Sequence, residues 1–282
     1  MERPAPDLHY TLEQFLPPGG RDALWHLRRV ERTVLRSAGP ARGSAAKPPR
    51  VLDVACGTGT QLARLRREGW ESWGVDASDF MLRLGQYMWP EVRASVPLVR
   101  SLAETLPFKE ASFDLVLCQG SLDHFTDPPA FLREAARVLA PGGRLIVALA
   151  NYESLACRLG RAAHRLGGRL GLPSRPARPY WRIPQDHTFR GSYGLLTSLG
   201  DGRLMKLTQI YGVSLLQAVG AWRALLHALP LPVATAVWRA ADRLARLLPA
   251  LADTTVAVWR RPPDANTHSP PASRCPAIPK GG

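Results

Sequence analysis

Apolar positions along the 282-residue chain change their period from one segment to the next. Short apolar runs at residues 51–54, 72–75, 96–99, 113–118 and 143–149, bounded by turn-forming residues, predict strands. Between them, residues 60–68, 79–88 and 128–139 repeat at helical spacing. Such alternation builds βαβ units, whose right-handed crossovers wind a sheet in both directions. Strand-like stretches at 204–211 and 254–259 bring the number to seven. The predicted fold is therefore α/β: a doubly wound, mostly parallel seven-stranded sheet with helices on both faces and helical cap insertions after strands 5 and 6. Pro141, Gly142 and Gly143 predict the turn that feeds the fifth strand, since proline cannot continue a helix and glycine accepts positive φ.

The flanking segments follow other patterns. Residues 1–43 are expected to form N-terminal helices, with Leu24, Leu27, Val30, Val34 and Leu35 at helical spacing, and residues 40–49 read as a linker. Residues 44–261 are read as one domain carrying the sheet pattern, in which 151–202 and 213–252 are the cap insertions. In the second insertion, Val233, Val237, Ala241, Leu244 and Leu248 form the apolar stripe, while Arg239, Arg243 and Arg246 take other faces. Residues 262–282 carry too few apolar groups to fold, so a disordered tail is expected.

Charge changes this picture. The formal net charge is +14, but residues 1–150 hold 19 Lys and Arg against 17 Asp and Glu, whereas residues 151–282 hold 18 against 6. Arginine supplies 33 of the 37 basic residues, which fits either a compositional bias or an anionic partner near the later segment. Cys56, Cys118, Cys157 and Cys275 are too dispersed for a disulfide framework or a metal knuckle, and no metal site is read. No apolar run reaches the roughly 18 residues of a spanning helix, and residues 1–10 lack a signal peptide's apolar stretch. The expected location is cytoplasmic, with peripheral contact at the inner membrane face as a second reading. Nucleic acid is disfavoured as a partner, because no stacking run or RNA-binding module accompanies the arginines.

The chemistry concentrates where the first strand ends. Asp53, Ala55, Cys56, Gly57, Thr58 and Gly59 spell D-x-A-x-G-x-G, a tight turn of small residues that lets backbone approach a ligand in the crevice of a parallel sheet. This differs from the G-x-G-x-x-G of dinucleotide enzymes, and an acid at the strand end favours a cationic or hydroxylated ligand. Asp76 ends the second strand, where a carboxylate accepts from ribose hydroxyls or, alternatively, marks a helix start.

The run Leu52 to Gly59 resembles motif I of class I, Rossmann-like S-adenosylmethionine-dependent methyltransferases, in the broad type 11 group with the menaquinone and ubiquinone methyltransferases. Asp76, Ala77 and Ser78 with Met81 and Leu82, then Ala103 to Phe108, and then Ser112 to Val116 are similar to further stretches of that family in the same order. The resemblance covers about residues 51–151. It implies S-adenosyl-L-methionine as cofactor, held by Asp53, Ala55, Cys56, Gly57, Thr58, Gly59, Asp76, Ala77, Met81, Leu102, Ala103, Gln119 and Gly120. Met81 also fits plain core packing. At Leu102 the family usually carries an Asp that accepts from the adenine, so this sequence departs there.

His124, after the fourth strand, and His187, beyond the fifth, are the catalytic candidates. Each has the pKa range of a general base and each equally fits a loop contact. The implied activity is in-line methyl transfer to a small-molecule or lipid-linked acceptor, anionic in one reading. The competing readings are a membrane-surface enzyme for a quinone-type lipid, an RNA methyltransferase and a non-enzymatic cofactor-binding protein.

Overall fold

A computed structural model of the chain describes residues 20–41, 47–171, 179–184, 187–199 and 204–263. Predictions on residues 1–19, 42–46, 172–178, 185–186, 200–203 and 264–282, including most of the expected tail, lie outside the described residues.

Seven strands form one sheet: β1 (Arg50–Val54), β2 (Glu71–Asp76), β3 (Leu98–Arg100), β4 (Phe113–Gln119), β5 (Leu139–Ala150), β6 (Lys206–Val213) and β7 (Thr254–Arg260). Their order is β3-β2-β1-β4-β5-β7-β6. The first five are parallel, while β7 runs antiparallel to both β5 and β6. The order reverses between β1 and β4, which opens a crevice at their carboxyl ends.

Alternate strand residues feed opposite layers. Leu52, Val54, Val116, Cys118, Leu145 and Val147 share one buried cluster. It is closed by Phe131, Ala135 and Val138 of α5 (Pro128–Val138), a helix started by the Asp127 side chain accepting from Ala130 N at 3.0 Å. Val51, Leu115, Leu117, Ile146 and Val256 share the other, which is covered by Val30, Val34 and Ala38 of α1 (Gly20–Ala38). The α1 helix therefore serves as a layer of the sheet sandwich. The remaining early helices are α2 (Thr60–Arg67), α3 (Asp79–Met88) and α4 (Pro90–Ser95), and α6 (Leu155–Arg169), α7 (Tyr193–Ser198), α8 (Gly220–Ala228) and α9 (Leu231–Leu247) fill the later half.

Several boundaries differ from the sequence pattern. The third strand begins at Leu98, because Val96 caps α4. The strand β5 takes in the expected turn: Leu139 pairs with Phe113 and Arg144 with Leu115, so residues 140–143 bulge out, with Gly142 at φ +77°. The stretch after Asn151, which lacks regular alternation, opens with the helix α6, whose first turn is capped by the Ser154 hydroxyl accepting from Cys157 N.

The larger correction concerns α9. Its buried face is Ala234, Trp238, Asp242 and Ala245; of the predicted stripe, Val237 and Ala241 are half-buried against that face, whereas Val233, Leu244 and Leu248 are exposed. The helix lies flush on β6 because position 212 is glycine: a Cβ there would run into the Ala245 carbonyl. Asp242 is tolerated inside because it pairs with Arg29 of α1 and accepts from Ser214 N at 3.1 Å.

Candidate active site

The turn after β1 is built from backbone that L-residues rarely adopt. Ala55, Gly57 and Gly59 have φ of +56°, +54° and +72°, so the chain folds back within five residues before α2 starts. Gly59 N donates to Cys56 O at 2.9 Å, and Cys56 N donates to Val75 O at 3.0 Å, which ties the turn to β2. Asp76 completes the tie: one carboxylate oxygen accepts from Gly57 N at 2.8 Å and the other from Ser78 N at 2.8 Å. Each oxygen keeps a lone pair for a hydroxyl.

Other cofactor candidates gather on the same turn. Met81 is buried and its Cε lies 3.4 Å from where a Gly57 Cβ would stand, so it packs directly on the turn. Thr58 is buried, with its hydroxyl 3.2 Å from that of Thr60. Cys56 packs against Gly74, and burial holds its thiol well above the ordinary range, so it acts as a small apolar filler. Ala77 O accepts from Arg100 Nε at 3.1 Å, and Ser101 N donates to Asp76 O at 3.1 Å, which sets the path to Leu102 and Ala103. Ala103 is buried, whereas Leu102 is 37% exposed on the rim. Across the crevice, Gly120 has φ +71° with open space beside it, and Gln119 Oε1 accepts from Gln61 Nε2 at 2.7 Å.

Two carboxylates sit close together under this turn. Asp53 is buried at the end of β1, and burial, then the nearby Asp76, pushes its pKa up to about 8. Asp76 is also raised by burial, opposed by the amides of Ser78 and Gly57. A cationic ligand relieves the repulsion between them. Gln61 Oε1 adds a buried acceptor that has no hydrogen-bond partner among the described residues. These features fit the charged amino acid end and the ribose of S-adenosylmethionine.

The catalytic candidates come together although 63 positions separate them. His124 and His187 stack edge to face with ring centroids 4.5 Å apart, and the Tyr152 ring stands 6.0 Å from His187. Asp123 was missed by the sequence reading. It is buried, and its Oδ2 lies 2.9 Å from His187 Nδ1. Thr188 fastens the two segments, its amide donating to Asp123 O at 2.8 Å and its hydroxyl to Phe125 O at 2.6 Å. Asp186, the expected neighbour of His187, lies outside the described residues. One ligand atom from each of Asp123, His124 and His187 falls within 4.8 Å of the others, a closeness that sequence spacing does not reveal. Burial, then Asp53 and Asp123, raises the Cys118 thiol; Asp53 pairs in register with Leu117 of β4, and the loop after that strand carries Asp123 and His124.

Sequence reasoning also passed over the supports. Gly85 of α3 lets that helix meet the turn, since a Cβ there would strike the Thr58 carbonyl. Glu104 accepts from Thr126 N at 2.8 Å, and Arg137, paired with Glu134, donates to Leu106 O and Phe108 O, so the A-E-x-L-P-F stretch is a bracket for the loop after β4. A separate cavity of about 640 Å³, bordered by Gly39, Trp70, Asp114, Arg144 and Arg260, lies at the opposite, amino-terminal edge of the parallel strands.

Comparison with known proteins agrees with this geometry. Residues 52–147 match the family described as methyltransferase domain. The demethylmenaquinone methyltransferase of Corynebacterium kroppenstedtii is 36% identical over 138 residues, 49% of this chain and 53% of that one. The ubiquinone biosynthesis O-methyltransferase of Xanthomonas oryzae pv. oryzae is 33% identical over 111 residues, 39% of this chain and 46% of that one. The chain thus spans about half the length of the curated relatives it matches. Among solved structures, geranyl diphosphate C-methyltransferase from Streptomyces coelicolor, in complex with Mg2+, geranyl diphosphate and S-adenosyl-L-homocysteine, superposes with a TM-score of 0.52 at 14% identity, covering 82% of this chain and 79% of that one. The fold is like that of the class I methyltransferases, and residues 52–147 are similar to the methyltransferase domains of these relatives.

Proposed function

We propose that this protein is an S-adenosylmethionine-dependent methyltransferase acting on a small-molecule or lipid-linked acceptor of the quinone-precursor kind, in the crevice between the ends of β1 and β4. The observation that carries this reading is the left-handed turn of Ala55 to Gly59 clamped by Asp76, with the Asp123–His187 pair beside it. When bound, the cofactor supplies an electrophilic methyl whose leaving group departs readily, so the protein's tasks are alignment, exclusion of water and removal of the acceptor's proton.

Asp76 is assigned to the ribose hydroxyls, and Asp53 with Gln61 to the amino acid end. Leu102 offers the adenine an apolar edge in place of an acceptor. For a hydroxyl acceptor, the O–H bond breaks as the O–CH3 bond forms, and His187 takes the proton on Nε2. Asp123 holds the Nδ1 side and stabilises the imidazolium, and is thus a positioning residue. His124 stacks on His187 and is assigned to the same acceptor side. No metal is assigned a role, and the location that accompanies this reading is cytoplasmic.

Calorimetry with S-adenosylmethionine tests the cradle: the wild type binds, and Asp76→Ala weakens binding by about 100-fold or more, the scale of losing charged hydrogen bonds to two hydroxyls. Absence of binding by the wild type overturns the reading. Transfer of labelled methyl to demethylated quinol acceptors tests the pair: His187→Ala lowers kcat by about 10²–10⁴-fold. Asp123→Asn moves the acid limb of the pH–rate profile, and EDTA leaves the rate unchanged. A rate that EDTA abolishes would show that the three residues hold a cation instead.

A further inference from the structure

The exposed face of α9 calls for an account of its own. Its outward half is divided lengthwise, with Val233, Leu244, Leu247 and Leu248 on one side, between 45% and 77% exposed, and Arg239, Arg243 and Arg246 on the other, all exposed. Neither the sheet nor α1 needs this face, because Ala234, Trp238, Asp242 and Ala245 already seat the helix. The helix leaves the carboxyl-end edge of the sheet, where β6 ends and β7 begins, which is the edge that carries the cofactor turn.

A second insertion helix at that edge repeats the arrangement. On α6, Leu159, Leu166 and Leu170 share one stripe at 49%, 57% and 65% exposure, next to Arg158, Arg165 and Arg169. No acidic residue occurs in α6 or α8, and the one acid of α9, Asp242, is buried against Arg29.

We infer that α9, with α6 as a second contact, docks this protein on an anionic lipid bilayer at the edge that holds the site. Apolar side chains beside a row of arginines, with no exposed carboxylate, suit a helix lying in the headgroup plane: the leucines enter the acyl boundary and the guanidinium groups reach the phosphates. Each arginine near an anionic surface adds to the attraction, and salt screens it. A second copy of the chain is a poorer occupant, since matching faces would set arginine rows near each other with no acids to compensate. Among the described residues no helix is long and apolar enough to cross a membrane, so the contact is peripheral. The inference goes beyond methyl transfer and does not depend on it. A lipid-linked acceptor would meet the crevice without leaving the bilayer.

Sedimentation of the full chain with phosphatidylcholine vesicles, with and without phosphatidylglycerol and with no cofactor added, tests the inference. The protein is expected to pellet with the anionic vesicles and to be released by high salt. The double variant Leu244→Glu with Leu247→Glu is expected to lose binding by about tenfold or more, the effect of removing two buried apolar side chains. Both positions are exposed, so an unchanged thermal melt and cofactor affinity would show that the variant is folded. Equal binding to neutral and anionic vesicles, wild-type binding by the folded variant, or a solution dimer that the variant dissolves would each overturn the inference.

Discussion

Asp53 and Asp76 are two carboxylates with different surroundings, and the difference sets what each can do. Burial raises both, but two backbone amides donating at 2.8 Å oppose the rise at Asp76, whereas Asp53 is pushed up to about 8 by burial and by its neighbour. At pH 7 the ligand-free protein therefore holds a proton on Asp53, and a cationic ligand favours its release. Calorimetry in buffers of different ionisation enthalpy is expected to show up to one proton released on S-adenosylmethionine binding near pH 7, with affinity rising from pH 6 to 8. For stability the sign is opposite. A folded pKa above the unfolded value of about 3.8 gives stability that is complete below pH 3.8 and is lost as pH rises toward 8. Asp53→Asn is thus expected to raise the melting temperature of the ligand-free protein at pH 8 while weakening cofactor binding at least tenfold. At this scale the sequence named Asp53, Asp76, His124 and His187 directly. Asp123 escaped because its partner lies 64 positions away, and Gln61 because a glutamine carries no signature until its environment buries it.

Among the elements, the strands and the helices α2, α3 and α5 were readable because each buries a face whose period the sequence displays. The helix α3 shows what that pattern omits. Gly85 sits mid-helix, where a propensity argument would favour alanine, yet the Thr58 carbonyl occupies the space a methyl would need. Gly85→Ala is expected to destabilise the fold by about 1–3 kcal/mol in chemical denaturation and to weaken cofactor binding as the turn shifts. The helix α9 failed in the opposite way. Its apolar stripe was legible, but only Val237 and Ala241 of it pack inward, and Gly212 with the Arg29–Asp242 pair accepts the narrower Ala/Trp face. Periodicity locates a stripe, and the surface opposite decides which stripe is covered.

At the scale of the molecule, α1 joins sequence-distant parts into one body. His26 bridges Ser214 Oγ at 3.0 Å and Thr254 Oγ1 at 3.1 Å, Trp25 stacks on Trp238 at 5.0 Å, and Arg144 caps the carbonyls of Ser37 and Ala38. Burial lowers the His26 pKa to about 4. A histidine with a folded pKa below its unfolded value of about 6.5 contributes stability that is present at neutral pH and lost as pH falls from 6.5 to 4. His26→Gln is expected to be less stable than the wild type at pH 7 by about 1–3 kcal/mol in urea titrations. The gap should narrow toward pH 4.5, because the variant has no imidazole to charge. A gap that widens on acidification would contradict the assignment of a neutral, buried imidazole.

The sequence by itself determined the doubly wound sheet, the turn at Asp53 to Gly59 and the order of motifs through Val116, because these depend on local periodicity and on residues within a few positions of each other. Only the tertiary structure decided that Asp123 faces His187, that Gln61 faces Gln119, and that α9 turns its leucines outward. Those outcomes rest on where separate segments meet, through close approach at Gly85 and Gly212 and through charge pairing in the interior. Such contacts leave no periodic trace along the chain.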